Sequence, residues 1–150
     1  MTHSYRVHYF HLVWSTKQRL PRISSDVQPR LYEYLSAIIR NHSGKLLEIG
    51  GMVDHVHLLI ELSLPDKFSD CIKDLKASSS RWIHKNFPGL HDFAWQEGYG
   101  SFTISYSSLE GVRKYIQNQE QHHATVSFEE EYLHFLELHR IKYDERFVLG

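Results

Sequence analysis

Asp54-His55-Val56-His57-Leu58-Leu59-Ile60-Glu61-Leu62 (DHVHLLIEL) is the stretch that organises the chain. Read as a strand over 55–62, its side chains alternate between two faces. Val56, Leu58, Ile60 and Leu62 form an unbroken apolar face that helices would cover. His55, His57, Leu59 and Glu61 point the other way. Imidazoles at i and i+2 are neighbours on that face, close enough to reach one ion. The same pattern also suits two half-exposed strand histidines, so the motif needs support from elsewhere.

Working outward, KLLEIGGMV (45–53) reads as a strand joined to 55–62 through a short junction at Asp54, a hairpin. RVHYFHLVWS (6–15) is aromatic and β-branched, a first strand, followed by a basic loop ending near Pro21. Leu31, Tyr34, Leu35, Ile38 and Ile39 recur at helical spacing within about Val27 to Asn41, and Gly44 follows. Pro65-Asp66 opens a longer helix over about 67–87, with Phe68, Cys71, Ile72, Leu75, Trp82 and Ile83 on one face. YGSFTISY (99–106) alternates as a fourth strand. Helices are expected over 108–123 and over 128–140, the second with Phe128, Tyr132, Phe135, Leu136 and His139.

The order β-α-β-β-α-β followed by two helices predicts an α+β, ferredoxin-like fold. It is an antiparallel four-stranded sheet with helices on one face, the other face left free to work. A length of 150 residues suits one domain, 1–150, with a helical tail from about 124 to 150. Such a fold hosts many functions, so function has to come from particular residues.

Bulk composition excludes more than it selects. Apolar residues make up 41% and charged residues 23%, the balance of a soluble globular protein rather than a disordered one. No apolar run reaches the roughly 20 residues of a membrane span, and MTHSYRVHYF lacks the features of a secretory signal. A cytoplasmic location is expected. Cys71 is the single cysteine, which excludes an internal disulfide and a thiolate-rich zinc site, and it reads as a small buried hydrophobe.

The net charge of −1 does not announce a nucleic-acid binder, but its distribution is uneven. Residues 1–87 carry 12 Lys and Arg against 8 Asp and Glu, and residues 88–150 carry 5 against 10. Lys17, Arg19 and Arg22 lie in a segment without acids, candidates for phosphate contacts or simply a solvated loop. Trp14, Trp82 and Trp95 could stack on bases, with core packing the better reading for Trp82. Gly98 and Gly100 around Tyr99 suggest a bend or a close backbone approach.

Twelve histidines are unusually many for this length. In SLEGVRKYIQNQEQHH (108–123), Tyr115 and Gln119 stand at i and i+4, one turn apart on one helix face. The amide oxygen of Gln119 could join His55 and His57 in a metal site with the Tyr115 phenol beside it. A phenol is a weak nucleophile, with a pKa of about 10. A divalent cation can help by polarising a phosphate under attack.

Together these motifs resemble the single-tyrosine HUH transposases of the insertion-sequence 200/605 type, transposase A of small bacterial insertion sequences. HLVWSTKQR is similar to their first strand and basic loop, and DHVHLLIEL carries the His-hydrophobic-His motif as His55-Val56-His57. WQEGYGSFTIS (95–105) is similar to their fourth-strand segment, and YIQNQEQHH carries Tyr115 and Gln119 before His122-His123. FEEEYLHFLELHRIKYDERFV is similar to their tail, so the resemblance runs through nearly the whole chain.

The resemblance implies an enzyme that cuts and rejoins single-stranded DNA at element ends, recognises hairpins and forms a 5′-phosphotyrosine. It implies Tyr115 as nucleophile, His55, His57 and Gln119 as ligands of Mg²⁺ or Mn²⁺, and a homodimer with active sites completed in trans. Because imidazole suits Zn, Cu, Fe or Ni while Mg²⁺ prefers oxygen, Mn²⁺ should serve at least as well as Mg²⁺. Activity should fall below about pH 6, where free histidines protonate. Lys17, Arg19, Arg22, His122 and His123 are candidate DNA contacts, the last two also fitting a helix C-terminus. Glu61 is either a supporting carboxylate or a solvated strand-end charge. A non-catalytic or domesticated single-strand-binding module of the same fold is the main rival. A metal-dependent enzyme acting on a small substrate and a replication initiator of the HUH class stand behind it.

Overall fold

The structure is a computed structural model that describes residues 3–63 and 65–150. Strands β1 (Tyr9–Ser15), β2 (Gly44–Met52), β3 (His55–Leu62) and β4 (Gly100–Ile104) form one antiparallel sheet in the order β2-β3-β1-β4. This is the expected ferredoxin-like topology. Helices α1 (Gln28–Asn41) and α2 (Phe68–Asn86) complete the β-α-β-β-α-β core. Leu31, Leu35, Ile38 and Ile39 of α1 and Cys71, Ile72, Leu75 and Ile83 of α2 cover Leu12, Trp14, Val56, Leu58 and Ile60. Cys71 is the buried hydrophobe its setting predicts, and burial pushes its thiol up to about 11.

Strand register carries the alternation of β3 across the sheet. His11 lies opposite Leu59 on one side and Phe102 on the other, and Val13 lies opposite His57 and Gly100. Paired positions share a face, so His11, Val13, His55, His57 and Phe102 all stand on the side away from α1 and α2.

That side is not free, contrary to the expectation of an open working face. It is covered by α3 (Leu109–Gln117), α4 (Gln119–His122) and α5 (Phe128–Leu138). Phe128, Tyr132 and Leu136 of α5 form a second core with Val13 and Phe102. The amphipathic stripe of the tail finds its apolar partner on this sheet, within the same chain.

The expected helix over 108–123 is also interrupted. Asn118 leaves helical geometry at φ −99° and ψ 23°, and its N–H bonds back to the carbonyls of Lys114 and Tyr115. Asparagine gives up helix readily at such a cap. The sheet is therefore followed by three short helices rather than two. A Ser127–Glu130 capping box then starts α5 and fixes its phase.

Two glycines admit these helices. A Cβ on Gly50 would lie 2.5 Å from the carbonyl oxygen of Ile116, so α3 can rest on β2 only at a glycine. A Cβ on Gly100 would lie 3.2 Å from both Phe102 and Tyr132, the close approach anticipated there, whereas Gly98 faces open space. Trp14 and Trp95 pack edge to face, 5.9 Å apart, in the interior and are closed to bases. Trp82, expected in the core, is half-buried and stacks on Tyr34 at 4.7 Å. Among the described residues, no helix is long and apolar enough to cross a membrane.

Candidate functional site

His55 and His57 rise from β3 into the layer between the sheet and α3–α5, both fully buried. The break at Asn118 swings Gln119 inward, where it is 2% exposed. Its Oε1 lies 2.9 Å from Nε2 of His55 and 2.9 Å from Nε2 of His123. Tyr115, one turn earlier, is half-buried beside His57, with ring centroids 5.7 Å apart. The four residues picked out in the sequence thus meet, and they do so within one chain.

At their centre stands Glu131 of α5, which the sequence reading passed over. Its Oε1 is 2.8 Å from Nε2 of His57 and 3.6 Å from Nε2 of His55. Its Oε2 is 3.2 Å from Nε2 of both His122 and His123, and accepts a hydrogen bond from the Tyr115 hydroxyl. A signal was present. Phe128, Glu131, Tyr132, Phe135 and Leu136 follow the i, i+3, i+4, i+7, i+8 pattern of a buried helix stripe, and Glu131 is the one charge in it. A carboxylate in that position has to find partners or it would not be buried. His11 was also missed; its Nε2 lies 2.8 Å from Nδ1 of His57.

The outer nitrogens are committed. Nδ1 of His55 donates to Asp54 at 2.7 Å, and Nδ1 of His123 donates to the carbonyl of Val126 at 2.6 Å. Neither Nε2 then carries a proton in the neutral ring, yet both face the Gln119 oxygen and the Glu131 carboxylate. The centre has more lone pairs than protons. Such a knot of acceptors calls for positive charge, supplied by protonated imidazole or by a cation. This second layer of acceptors behind each ring is how metal-binding histidines are oriented.

The titration behaviour fits. Burial pulls His57 down to about 4 against the favourable Glu131 hydrogen bond, and burial and His57 pull His11 down to about 3. Burial would lower His123 too, but its hydrogen bonds to Glu131 and Val126 raise it overall. Burial would raise Glu131, yet bonds from His123, His57 and Tyr115 hold it well below the carboxylate range. Burial and the Glu131 charge push the Tyr115 phenol well above its usual value. In this state the phenol is a hydrogen-bond donor, held in reserve.

Donor atoms of His55, His57, His123 and Glu131 all lie within 4.8 Å of one another. Ligands about 2.1 Å from a tetrahedral ion stand about 3.4 Å apart, so the set suits a small cation with little adjustment.

The remaining sequence candidates divide. His122 and His123 join the cluster, His122 with Nε2 3.2 Å from the Tyr115 hydroxyl. Glu61 does not. It shares the face but sits at the far end of β3, opposite Tyr9 and Lys45, because three residues of strand separate it from His57. Arg22 pairs with Asp92 at 3.1 Å, and Arg19 pairs with Glu129 at 3.3 Å while donating to the carbonyl of Leu149. Only Lys17 of the three keeps an exposed side chain without such a pairing among the described residues. Beside Tyr115 a cleft of about 860 Å³ opens, lined by His11, Phe102, Tyr115, His122, Glu131 and Phe135 among others.

Residues 4–119 match the family described as Transposase IS200 like. The chain belongs to that family. Membership makes this transposase a DNA-cleaving enzyme by class and agrees with the resemblance read from the motifs. It is 28% identical over 115 residues to the ISDra2 transposase TnpA of Deinococcus radiodurans, covering 73% of this chain and 82% of that one. A crystal structure described as a transposase from Deinococcus radiodurans superposes with a TM-score of 0.62 at 27% identity, over 79% of this chain and 96% of that one. A tyrosine transposase bound to a REP hairpin shares the fold, with a TM-score of 0.63 at 16% identity, over 84% and 76% of the two chains. The family match ends at Gln119, so His122, His123 and Glu131 lie beyond it.

Proposed function

We propose that this transposase cuts and rejoins single-stranded DNA at insertion-sequence ends through a 5′-phosphotyrosine on Tyr115, with His55, His57 and Gln119 holding Mg²⁺ or Mn²⁺. The observation that carries the reading is the meeting of Tyr115, His55, His57 and Gln119 in one buried cluster beside an open cleft, in a chain of this family.

The phenolic oxygen attacks the phosphorus, the bond from phosphorus to the 3′ oxygen breaks, and a 3′ hydroxyl leaves. The phosphodiester energy is kept in the tyrosine ester, so a later 3′ hydroxyl can attack and restore the phenol. A divalent cation, when bound, supplies polarisation of the phosphate and balance for its developing charge. His55 and His57 would hold it through Nε2, with Asp54 and His11 orienting the two rings from behind. Glu131, which accepts the phenol's hydrogen bond, fixes the hydroxyl at the cleft.

The substrate is read as a DNA hairpin near the element's ends, supported by the relative of the same fold that binds a REP hairpin. The resemblance carried a homodimer with sites shared in trans. The position of Tyr115 against the histidines of its own chain supports assembly in cis instead.

The test is incubation of the protein with labelled single-stranded hairpin oligonucleotides and Mn²⁺. A covalent protein–DNA band on a denaturing gel, lost in Tyr115→Phe, is expected. No band with any hairpin substrate under conditions of demonstrated binding would leave a binding module as the better reading.

A further inference from the structure

We infer that Glu131 and His123, both outside the family-matched region, join His55, His57 and Gln119 at the metal centre, which then offers three imidazoles and one carboxylate beside the Gln119 amide oxygen. The inference rests on the reading of His55 and His57 as a metal pair and extends it to the tail.

Three observations converge on it. First, the donor atoms of these four residues form one cluster within 4.8 Å, with Glu131 Oε1 closest to His57. Second, His55 and His123 each spend Nδ1 on a fixed acceptor and so present an unprotonated Nε2 inward. Third, Glu131 is 3% exposed and is the only acid on the buried face of α5. The capping box at Ser127 and the packing of Phe128 and Tyr132 fix its position. A carboxylate this deep among imidazoles is costly unless charge balances it.

The set resolves the mismatch between a hard cation and a pair of imidazoles. Glu131 adds an anionic oxygen, and His123 adds a third nitrogen. Nitrogen donors favour Mn²⁺ and later transition metals over Mg²⁺. Glu131 also carries the hydrogen bond from Tyr115, so one side chain joins the metal centre to the nucleophile.

The experiment uses the full-length protein stripped with chelator. Mn²⁺ and Mg²⁺ binding are measured by calorimetry for wild type, His57→Ala, Glu131→Gln, Glu131→Asp and His123→Ala, with circular dichroism to confirm folding. Pulsed electron paramagnetic resonance of bound Mn²⁺ counts coordinated imidazoles in the wild type. Expected are Mn²⁺ affinity at least tenfold above Mg²⁺, three imidazoles, and a loss of tenfold or more in each variant. Glu131→Asp keeps the charge but withdraws it by one methylene, so it reports even if Glu131→Gln does not fold. Loss in His57→Ala with wild-type affinity in the folded Glu131 variants would overturn the inference and leave the paired-histidine site standing. Two imidazoles would remove His123 from the set and overturn the inference. Unchanged affinity in His57→Ala would overturn both readings.

Discussion

Glu131 Oε1 lies 2.8 Å from Nε2 of His57, although 74 residues separate them in the chain. The contact ties the tail to the paired histidines of β3. It also means that the tyrosine helix α3 and the histidine strand β3 are bridged by a third element, α5.

Tyr115→Phe removes the oxygen proposed to attack, together with its contacts to Glu131 and His122. Covalent attachment to single-stranded DNA should vanish on a denaturing gel, while hairpin affinity in a gel-shift assay stays within about twofold. A Phe variant that still forms the adduct at the wild-type rate would point to another nucleophile.

His55→Ala and His57→Ala should each remove most strand cleavage, at least about a hundredfold in rate. A site with few protein ligands cannot spare one, and the buried partners Asp54 and Glu131 would be left without a counterpart. Single-turnover cleavage in Mn²⁺ checks this. Cleavage within tenfold of wild type in both variants would take the metal away from β3.

Much of this site was legible in the sequence. β3 was placed to the residue because Val56, Leu58, Ile60 and Leu62 keep one face apolar throughout, with His55, His57 and Glu61 on the other. Tyr115 and Gln119 were found through their spacing, although the helix joining them breaks at Asn118. What could not be seen was which surface the tail covers. Phe128, Tyr132 and Leu136 announce an apolar face, but an apolar stripe does not name its partner. The pairing with Val13 and Phe102, which closes the sheet and delivers Glu131, is a long-range contact with no local signature. The basic loop misled for a similar reason: the acids that pair with Arg19 and Arg22, Glu129 and Asp92, are distant in sequence.

Acid should destabilise the metal-free protein, and the direction follows from the buried imidazoles. His57 and His11 have folded values of about 4 and about 3 against 6.5 unfolded. A base held neutral by folding contributes stability above pH 6.5, and that stability is lost as pH falls toward the folded value. Each such site removes at most about 1.4 kcal/mol per pH unit. Glu131, held low, adds its own loss below about 4.5, its unfolded value. His123, raised, is already fully contributing below 6.5 and does not oppose the trend. Melting temperature should therefore fall steadily from pH 6.5 to 4 in chelator. His11→Phe, which puts a ring among Phe102 and Phe135, should flatten that slope by about one proton. A flat wild-type profile over this range would contradict the buried neutral imidazoles. The acid limb expected near pH 6 for free histidines correspondingly moves lower.

Gly50→Val probes the seat of the tyrosine helix. Any Cβ at that position meets the backbone of Ile116, the residue after Tyr115, at 2.5 Å. Backbone cannot swing aside as a side chain does, so α3 must lift from β2, at a cost of about 1–3 kcal/mol. His55 and His57 on β3 would stay in place. Cleavage should drop by tenfold or more while Mn²⁺ affinity falls far less. Equal activity in the folded variant would mean that α3 does not need this contact to position Tyr115.

The final prediction separates assembly in cis from assembly in trans. Tyr115 reaches His57, Glu131 and His122 of its own chain, and the link from β4 to α3 is the short turn Tyr106–Ser108. A short link alone permits either arrangement, because a helix could be handed to a partner in a C₂ dimer. What distinguishes this chain is that Phe128, Tyr132 and Leu136 already cover the histidine face and lock α5 over it. A partner's helix would have to displace its own chain's α3 and break the Tyr115–Glu131 and Gln119–His55 bonds. Mixing His57→Ala with Tyr115→Phe, each inactive alone, under conditions of proven subunit exchange should therefore restore no cleavage. If sites are shared, mixed dimers should instead recover one working site of two, up to about half of wild-type activity for that species. Recovery of that size would show that the tyrosine acts in trans and that α3 exchanges between chains.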